Sequence, residues 1–150
     1  MLYCTFTVIS IGFFPGPFSP LNNFLSQLGN LNLNPNGAIF YNLAVILVGL
    51  AEIPFYMGLY QWHTKKTGNK LLLAARAVGL INALAIIMSG IFSESVNYSL
   101  HVFWSYLIFV TFVPILILVN KALLTYPELN KVISYYGFIV AVIHISLFVV

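Results

Sequence analysis

The sequence predicts an all-α fold, a polytopic transmembrane helix bundle with about five membrane helices, and three observations carry that prediction. Of the 150 residues, 61% are hydrophobic and only 6% are charged. Soluble domains run near half apolar and about a quarter charged, and six basic and three acidic side chains are too few to cover a water-facing surface of this size. The second observation is length. A hydrocarbon core of about 30 Å takes roughly 20 helical residues, and the apolar runs recur at that length along the whole chain. The third is that the lysines cluster in alternate loops, as the positive-inside rule requires of a multi-pass protein.

The first apolar stretch, Leu2 to Phe14, offers about 13 residues, or roughly 20 Å of helix, before Pro15-Gly16-Pro17 breaks it. It is too short to cross. A secretory signal peptide needs a positively charged start, yet there is no Lys or Arg before Lys65. The expectation is therefore the outer part of a first membrane helix, either sitting shallowly or truncated upstream of Met1. Four longer runs follow: Ile39 to Trp62, Leu71 to Phe92, Tyr98 to Val119 and Val132 to Val150. The last of them ends while still apolar, so a sixth helix is also expected to be missing. Residues 1–150 are read as a single integral membrane domain.

Lys65, Lys66 and Lys70 fall between the second and third helices, and Lys121 and Lys131 between the fourth and fifth. Loops 63–70 and 120–131 are accordingly expected to face the cytoplasm, with loop 15–38 and turn 93–97 on the opposite face. Tyr60, Trp62, Tyr98, Trp104 and Tyr126 stand where interfacial aromatic anchors are found. His63 reads as an interfacial residue in water. Loop 15–38 carries no charge but mixes Asn, Ser, Pro and Gly with Leu and Phe, a pattern that predicts a short helix or ordered loop folded against the helix ends, with Asn and Ser capping its turns.

Several of these segments together resemble a known family. Leu25-Ser26-Gln27-Leu28-Gly29, the run Asn34-Pro35-Asn36-Gly37-Ala38 leading to Asn42, Gly49-Leu50 with Ile53-Pro54-Phe55 and Gly58-Leu59-Tyr60, and Gly90-Ile91-Phe92-Ser93-Glu94 followed by His101 are similar to the polytopic membrane family catalogued as domain of unknown function 998. The resemblance covers most of the chain and implies a membrane helix bundle, usually of six helices. It implies no activity, and the family's common Asp is replaced here by Gln27.

Ionisable groups at bilayer depth are costly, so each is a functional candidate. His101 lies about one turn into the fourth helix, and His144 is roughly 9 Å from the far end of the fifth if that helix ends near Val150. Antiparallel neighbours joined by a short loop would bring both to the outer side near Glu94. Two readings stay open. In one, each histidine only bonds neighbouring helices. In the other, His101, His144 and Glu94 bind a metal such as zinc, for which three protein ligands are the minimum, while Ser26, Glu94 and His101 supply catalytic groups. Haem ligation by two histidines is a further, weaker option. Glu52 and Arg76 are expected to pair between the second and third helices as a packing clamp, beside a bend at Pro54; the alternatives are a proton or substrate path, or Arg76 snorkelling to lipid headgroups with Glu52 protonated. Ala75, Gly79 and Ala83, at four-residue spacing with Asn82 beside them, predict close helix contact in the interior.

Composition excludes other classes. The basic residues form no continuous stripe, so nucleic acid is not an expected partner. Cys4 is the only cysteine, which rules out an internal disulfide, and no phosphate-binding glycine loop or nucleotide-cofactor fingerprint occurs. Two functional classes remain. The first-ranked is a non-enzymatic membrane protein that organises lipids, binds a partner or carries a small molecule; the alternative is a metal-dependent hydrolase acting on a lipid or lipid-linked substrate near the outer leaflet. Membrane lipids are the expected partners, and homo-oligomerisation through the small-residue stripe remains open.

Overall fold

In a computed structural model, residues 1–62, 69–125 and 130–149 are described, except for the side chains of Tyr60, Trp62, Asn69 and residues 147–149. His63, Lys65, Lys66 and Tyr126 lie outside the described residues. The order is α1 (Leu2–Gly12), a 3₁₀ turn (Leu25–Gly29), α2 (Ala38–Gly58) continued by a 3₁₀ turn (Leu59–Trp62), α3 (Asn69–Ile91), α4 (Tyr98–Leu123) and α5 (Lys131–Val149). The described residues contain no strand. This is the polytopic helix bundle that composition predicts.

Among the described residues, three helices are long and apolar enough to cross a membrane: Ala38–Gly58, Lys70–Ile91 and Tyr98–Leu123. At a rise of about 1.5 Å per residue, 21 residues of α2 extend roughly 31 Å. Leu2–Gly12 and the described stretch Lys131–Ser146 are shorter apolar helices. For α1 the reason is the break that begins at Phe13. α4 runs on to Leu123, so Lys121 closes a helix instead of opening a loop, where its charge complements the helix C-terminus. Proline does not end either long helix that contains one: α2 continues through Pro54 and α4 through Pro114.

The chain forms two compact units. The first contains residues 1–51 and 83–106. Within it, the Phe40 ring stacks on Phe13 at 5.7 Å and on Phe6 at 6.3 Å between ring centres, which ties α1 to the start of α2. A Cβ built on Gly49 would approach the Ala83 carbonyl oxygen at 2.8 Å and Ile87 Cγ1 at 2.6 Å. Only a residue without a side chain permits that backbone approach between α2 and α3. Gly90 plays the same part against Ile46 and the Asn42 carbonyl.

The second unit contains residues 52–82 and 107–150. Its apolar centre is Tyr56, Leu59, Ala75 and Ile115, with Val78, Leu80, Leu118 and Val119 packed around them. Gly79 receives the Tyr56 ring, and Gly137 receives the Asn120 side chain. The stripe read from the sequence is thus interior: Ala75 and Ala83 are fully buried and Gly79 is buried beside Tyr56. Large apolar side chains such as Phe55, Leu73, Phe103 and Ile139 are exposed. In lipid this carries no penalty, because hydrocarbon is the solvent.

Candidate functional site

The candidate residues of the first unit meet where the loop between α1 and α2 crosses the turn between α3 and α4. The loop is held by amide and hydroxyl groups, as its composition predicts. Asn34 is fully buried. Its Nδ2 donates to the Ser10 carbonyl at 3.1 Å, to Ser10 Oγ at 3.0 Å and to the Leu28 carbonyl at 3.1 Å, and its Oδ1 accepts from Gly37 N at 3.2 Å. A Cβ at Gly37 would collide with this same Asn34 side chain. Asn42, one turn into α2, donates to the Gly29 carbonyl at 2.9 Å, and Asn23 donates to Gln27 Oε1 at 3.0 Å. These bonds supply partners for loop backbone that would otherwise be buried unsatisfied.

Glu94 stands at the centre. Ser26 Oγ donates to its Oε1 at 2.6 Å and Asn30 Nδ2 to its Oε2 at 3.3 Å. A short hydroxyl-to-carboxylate bond is among the stronger kinds available to a protein. The next residue continues the clamp, since Leu31 N donates to Ser95 Oγ at 3.0 Å. The turn itself closes with Val96 N and Asn97 N on the Ser93 carbonyl, and Asn97 caps α4 through its Oδ1 on Leu100 N at 3.0 Å.

His101 does different work. Its Nδ1 lies 3.0 Å from the Phe92 carbonyl and 3.2 Å from the Ser89 carbonyl. Carbonyl oxygens only accept, so Nδ1 carries the hydrogen and donates to both. These carbonyls end α3, and the last carbonyls of a helix have no partner within it. In lipid they must find one. Nε2 is left to accept from Ser105 Oγ at 3.4 Å.

Of the catalytic residues expected from the sequence, Ser26 and Glu94 are brought into direct contact, whereas the ring nitrogens of His101 are bonded to α3 carbonyls and Ser105. Among the described residues no group of three or more His, Cys, Asp or Glu side chains could hold a metal ion. His144 belongs to the second unit, where its ring packs against Phe109 and Phe112 at 5.3 and 5.0 Å and its buried Nε2 has no hydrogen-bond partner. Cys4 is free and exposed.

A family model described as "Protein of unknown function (DUF998)" matches residues 1–150, the whole chain. The chain belongs to this family. No curated protein and no solved structure matches it. The segments that carry the family resemblance in the sequence are also those from which the site of this family member is built. Leu25–Gly29 is the 3₁₀ turn bearing Ser26; Asn34 to Asn42 supplies the buried amide and the entry to α2; Gly90 to Glu94 is the end of α3 with the carboxylate.

In the second unit, the expected Glu52–Arg76 pair is not formed. Glu52 Oε2 is buried without a hydrogen-bond partner, and no ion pair joins the two among the described residues. Asn82 instead links α3 to α4, donating to the Ile108 carbonyl at 3.0 Å and to Thr111 Oγ1 at 2.8 Å. Ser10, Asn30, Asn34 and Ser95 escaped sequence reasoning as site residues. The signal available for them was the concentration of amides in a loop without charge.

Proposed function

We propose that this family member is a five-helix integral membrane protein without catalytic activity, which organises lipid, binds a partner or carries a small molecule. The observation that supports it most is the commitment of the reactive groups to structure. Ser26 and Glu94 fasten the loop to the α3–α4 turn, and His101 closes the end of α3. A serine hydrolase of the expected kind needs an imidazole on the serine, and the imidazole here is bonded to carbonyls.

The Ser26–Glu94 bond also favours the alternative, a metal-dependent hydrolase acting on a lipid or lipid-linked substrate, because it sets a hydroxyl 2.6 Å from a carboxylate that could act as its base. One experiment separates the two. Purified protein in lipid nanodiscs, supplied with zinc, is assayed for release of fatty acid or headgroup from phospholipid and ceramide, alongside Ser26→Ala. No product from either protein, with a lower melting temperature for the variant, is the expected result. Turnover abolished by Ser26→Ala at an unchanged melting temperature would establish the hydrolase instead.

In the same reading α1 and α5 are the first and last of the membrane helices, loops 63–70 and 120–131 are cytoplasmic, and loop 15–38 and turn 93–97 face the other side. Lysine placement supports this orientation. In a Cys4→Ser background, Asn32→Cys should react with an impermeant maleimide from outside intact cells and Lys66→Cys only after permeabilisation. The reverse pattern would invert the topology.

A further inference from the structure

We propose that Glu52 and Asn82 form a proton-binding site inside the bundle, in which Glu52 is a carboxylic acid at neutral pH and donates its proton to Asn82 Oδ1. Two orphan acceptors motivate this. Glu52 Oε2 and Asn82 Oδ1 are both buried and both lack a hydrogen-bond partner, and Asn82 is only 1% exposed.

The orientation of the Asn82 amide is fixed by its other bonds. Nδ2 faces the Ile108 carbonyl, which can only accept. It also faces Thr111 Oγ1, whose own hydrogen is directed to the Leu107 carbonyl at 2.7 Å. Turning the amide over would set oxygen against oxygen, so Oδ1 is the atom left facing away from α4, and it requires a donor.

Helix register places Glu52 opposite. Gly49 of α2 lies against Ala83 and Ile87 of α3, and Tyr56 of α2 lies against Gly79. In antiparallel helices the Tyr56–Gly79 contact, followed one turn back along α2, brings residue 52 level with residue 82. Positions 49, 52 and 56 recur at the three- and four-residue spacing of a single helix face. A charged carboxylate at this depth would have to be paired, and Glu52 has no ion pair among the described residues. One proton on Glu52 removes the charge and satisfies both oxygens together.

The other titratable groups around it among the described residues are few. Tyr56, one turn along α2, has its ring against Gly79, and Arg76 of α3 makes no ion pair among the described residues. α4 has no ionisable residue from 107 to 120. On α5, His144 packs on Phe109 and Phe112, while Lys131, Tyr135 and Tyr136 are exposed. A proton held between helices at bilayer depth, on a carboxyl that can release it, is the chemistry of a proton relay.

The chain has three acidic side chains, which makes infrared spectroscopy of the whole protein in nanodiscs decisive. At neutral pH a protonated-carboxyl band should be present, lost in Glu52→Gln and retained in Glu94→Gln. In Asn82→Leu it should persist but move to the higher frequency of an unbonded acid. Absence of a Glu52-dependent acid band, or an unshifted band in Asn82→Leu, overturns the proposal. Labelling by an apolar carbodiimide, located by mass spectrometry, tests the same proton without any Asn82 variant: modification of Glu52 at neutral pH is expected, and its absence refutes the site. Protection of Glu52 by sodium chloride over choline chloride at equal ionic strength would also overturn it, since the occupant would then be a metal cation.

Discussion

Removing the Ser26 hydroxyl tests the anchoring of the loop most directly. The bond from Ser26 Oγ to Glu94 Oε1 is 2.6 Å long and lies in a half-buried setting. Hydrogen bonds to charged groups contribute about 1.5–3 kcal/mol net, and partial exposure places this one near the lower figure. A loss of about 1.5 kcal/mol in a chain of this length lowers the melting temperature by about 3–6 °C. Glu94→Ala should cost more, because it also releases Asn30, whose Nδ2 is 3.3 Å from the second carboxylate oxygen. The assay is thermal unfolding in detergent of wild type, Ser26→Ala, Glu94→Ala and the double variant, with proteolysis of residues 15–37 as a local readout. The double variant should be less destabilised than the sum of the singles by about 1 kcal/mol, beyond the 0.3–0.5 kcal/mol within which independent sites add. Strict additivity, with the loop as resistant to protease as in the wild type, would refute the claim that this bond holds the loop.

Three further substitutions follow from the packing. Gly49→Ala presses a methyl group onto the Ala83 carbonyl and the Ile87 backbone and should destabilise by about 1–3 kcal/mol, whereas Gly58→Ala meets nothing within 4 Å and should be neutral or gain up to about 1 kcal/mol in helix propensity; thermal unfolding of the pair checks the contrast. Asn34→Ala removes one of two donors from each of the Ser10 and Leu28 carbonyls, leaving Phe13 N and Ser10 Oγ, and should cost about 1 kcal/mol, read as a lower melting temperature and earlier cleavage between α1 and α2. Asn82→Ala removes the bonds from α3 to α4; interhelical bonds in membranes average about 0.6 kcal/mol, with a maximum near 1.7 kcal/mol, so a small drop in melting temperature is expected.

The helices were legible in the sequence because the bilayer imposes a length. Tyr98 begins α4 as the apolar run indicates, and α2 starts at Ala38, one residue before the expected Ile39. The ends facing water were less legible. Val119 is where the apolar run stops, but α4 continues to Leu123, since Asn120 turns its side chain inward against Gly137 and bonds to the Leu116 carbonyl at 2.7 Å. Hydropathy alone registers Asn120 as polar and cannot show that inward turn. The ordered loop was legible from its mixture of Asn with Leu and Phe, and so was the interior stripe of Ala75, Gly79 and Ala83. The pairing of Ser26 with Glu94 across 68 residues was not, because neither residue has a periodic neighbour that signals its partner.

The candidate site shows why serine, histidine and glutamate are ambiguous in a membrane sequence. In a soluble protein these side chains can be left to water, and their clustering in a cavity points to chemistry. In lipid, every helix end and every loop crossing needs polar partners of its own, and the residues best able to supply them are the ones enzymes use. His101 illustrates the equivalence: one imidazole N–H satisfies two carbonyls where α3 ends, which at this place is a sufficient reason for a histidine. The distinguishing evidence is therefore what the groups are left facing. The heteroatoms of Ser26, Glu94 and His101 that form bonds are turned to the protein's own structure, while Glu52 Oε2 and Asn82 Oδ1 are not. Unspent polar capacity inside the bilayer is costly, and its retention at Glu52, Asn82 and His144 sets these residues apart from Ser26, Glu94 and His101 as the places to look for what this protein does.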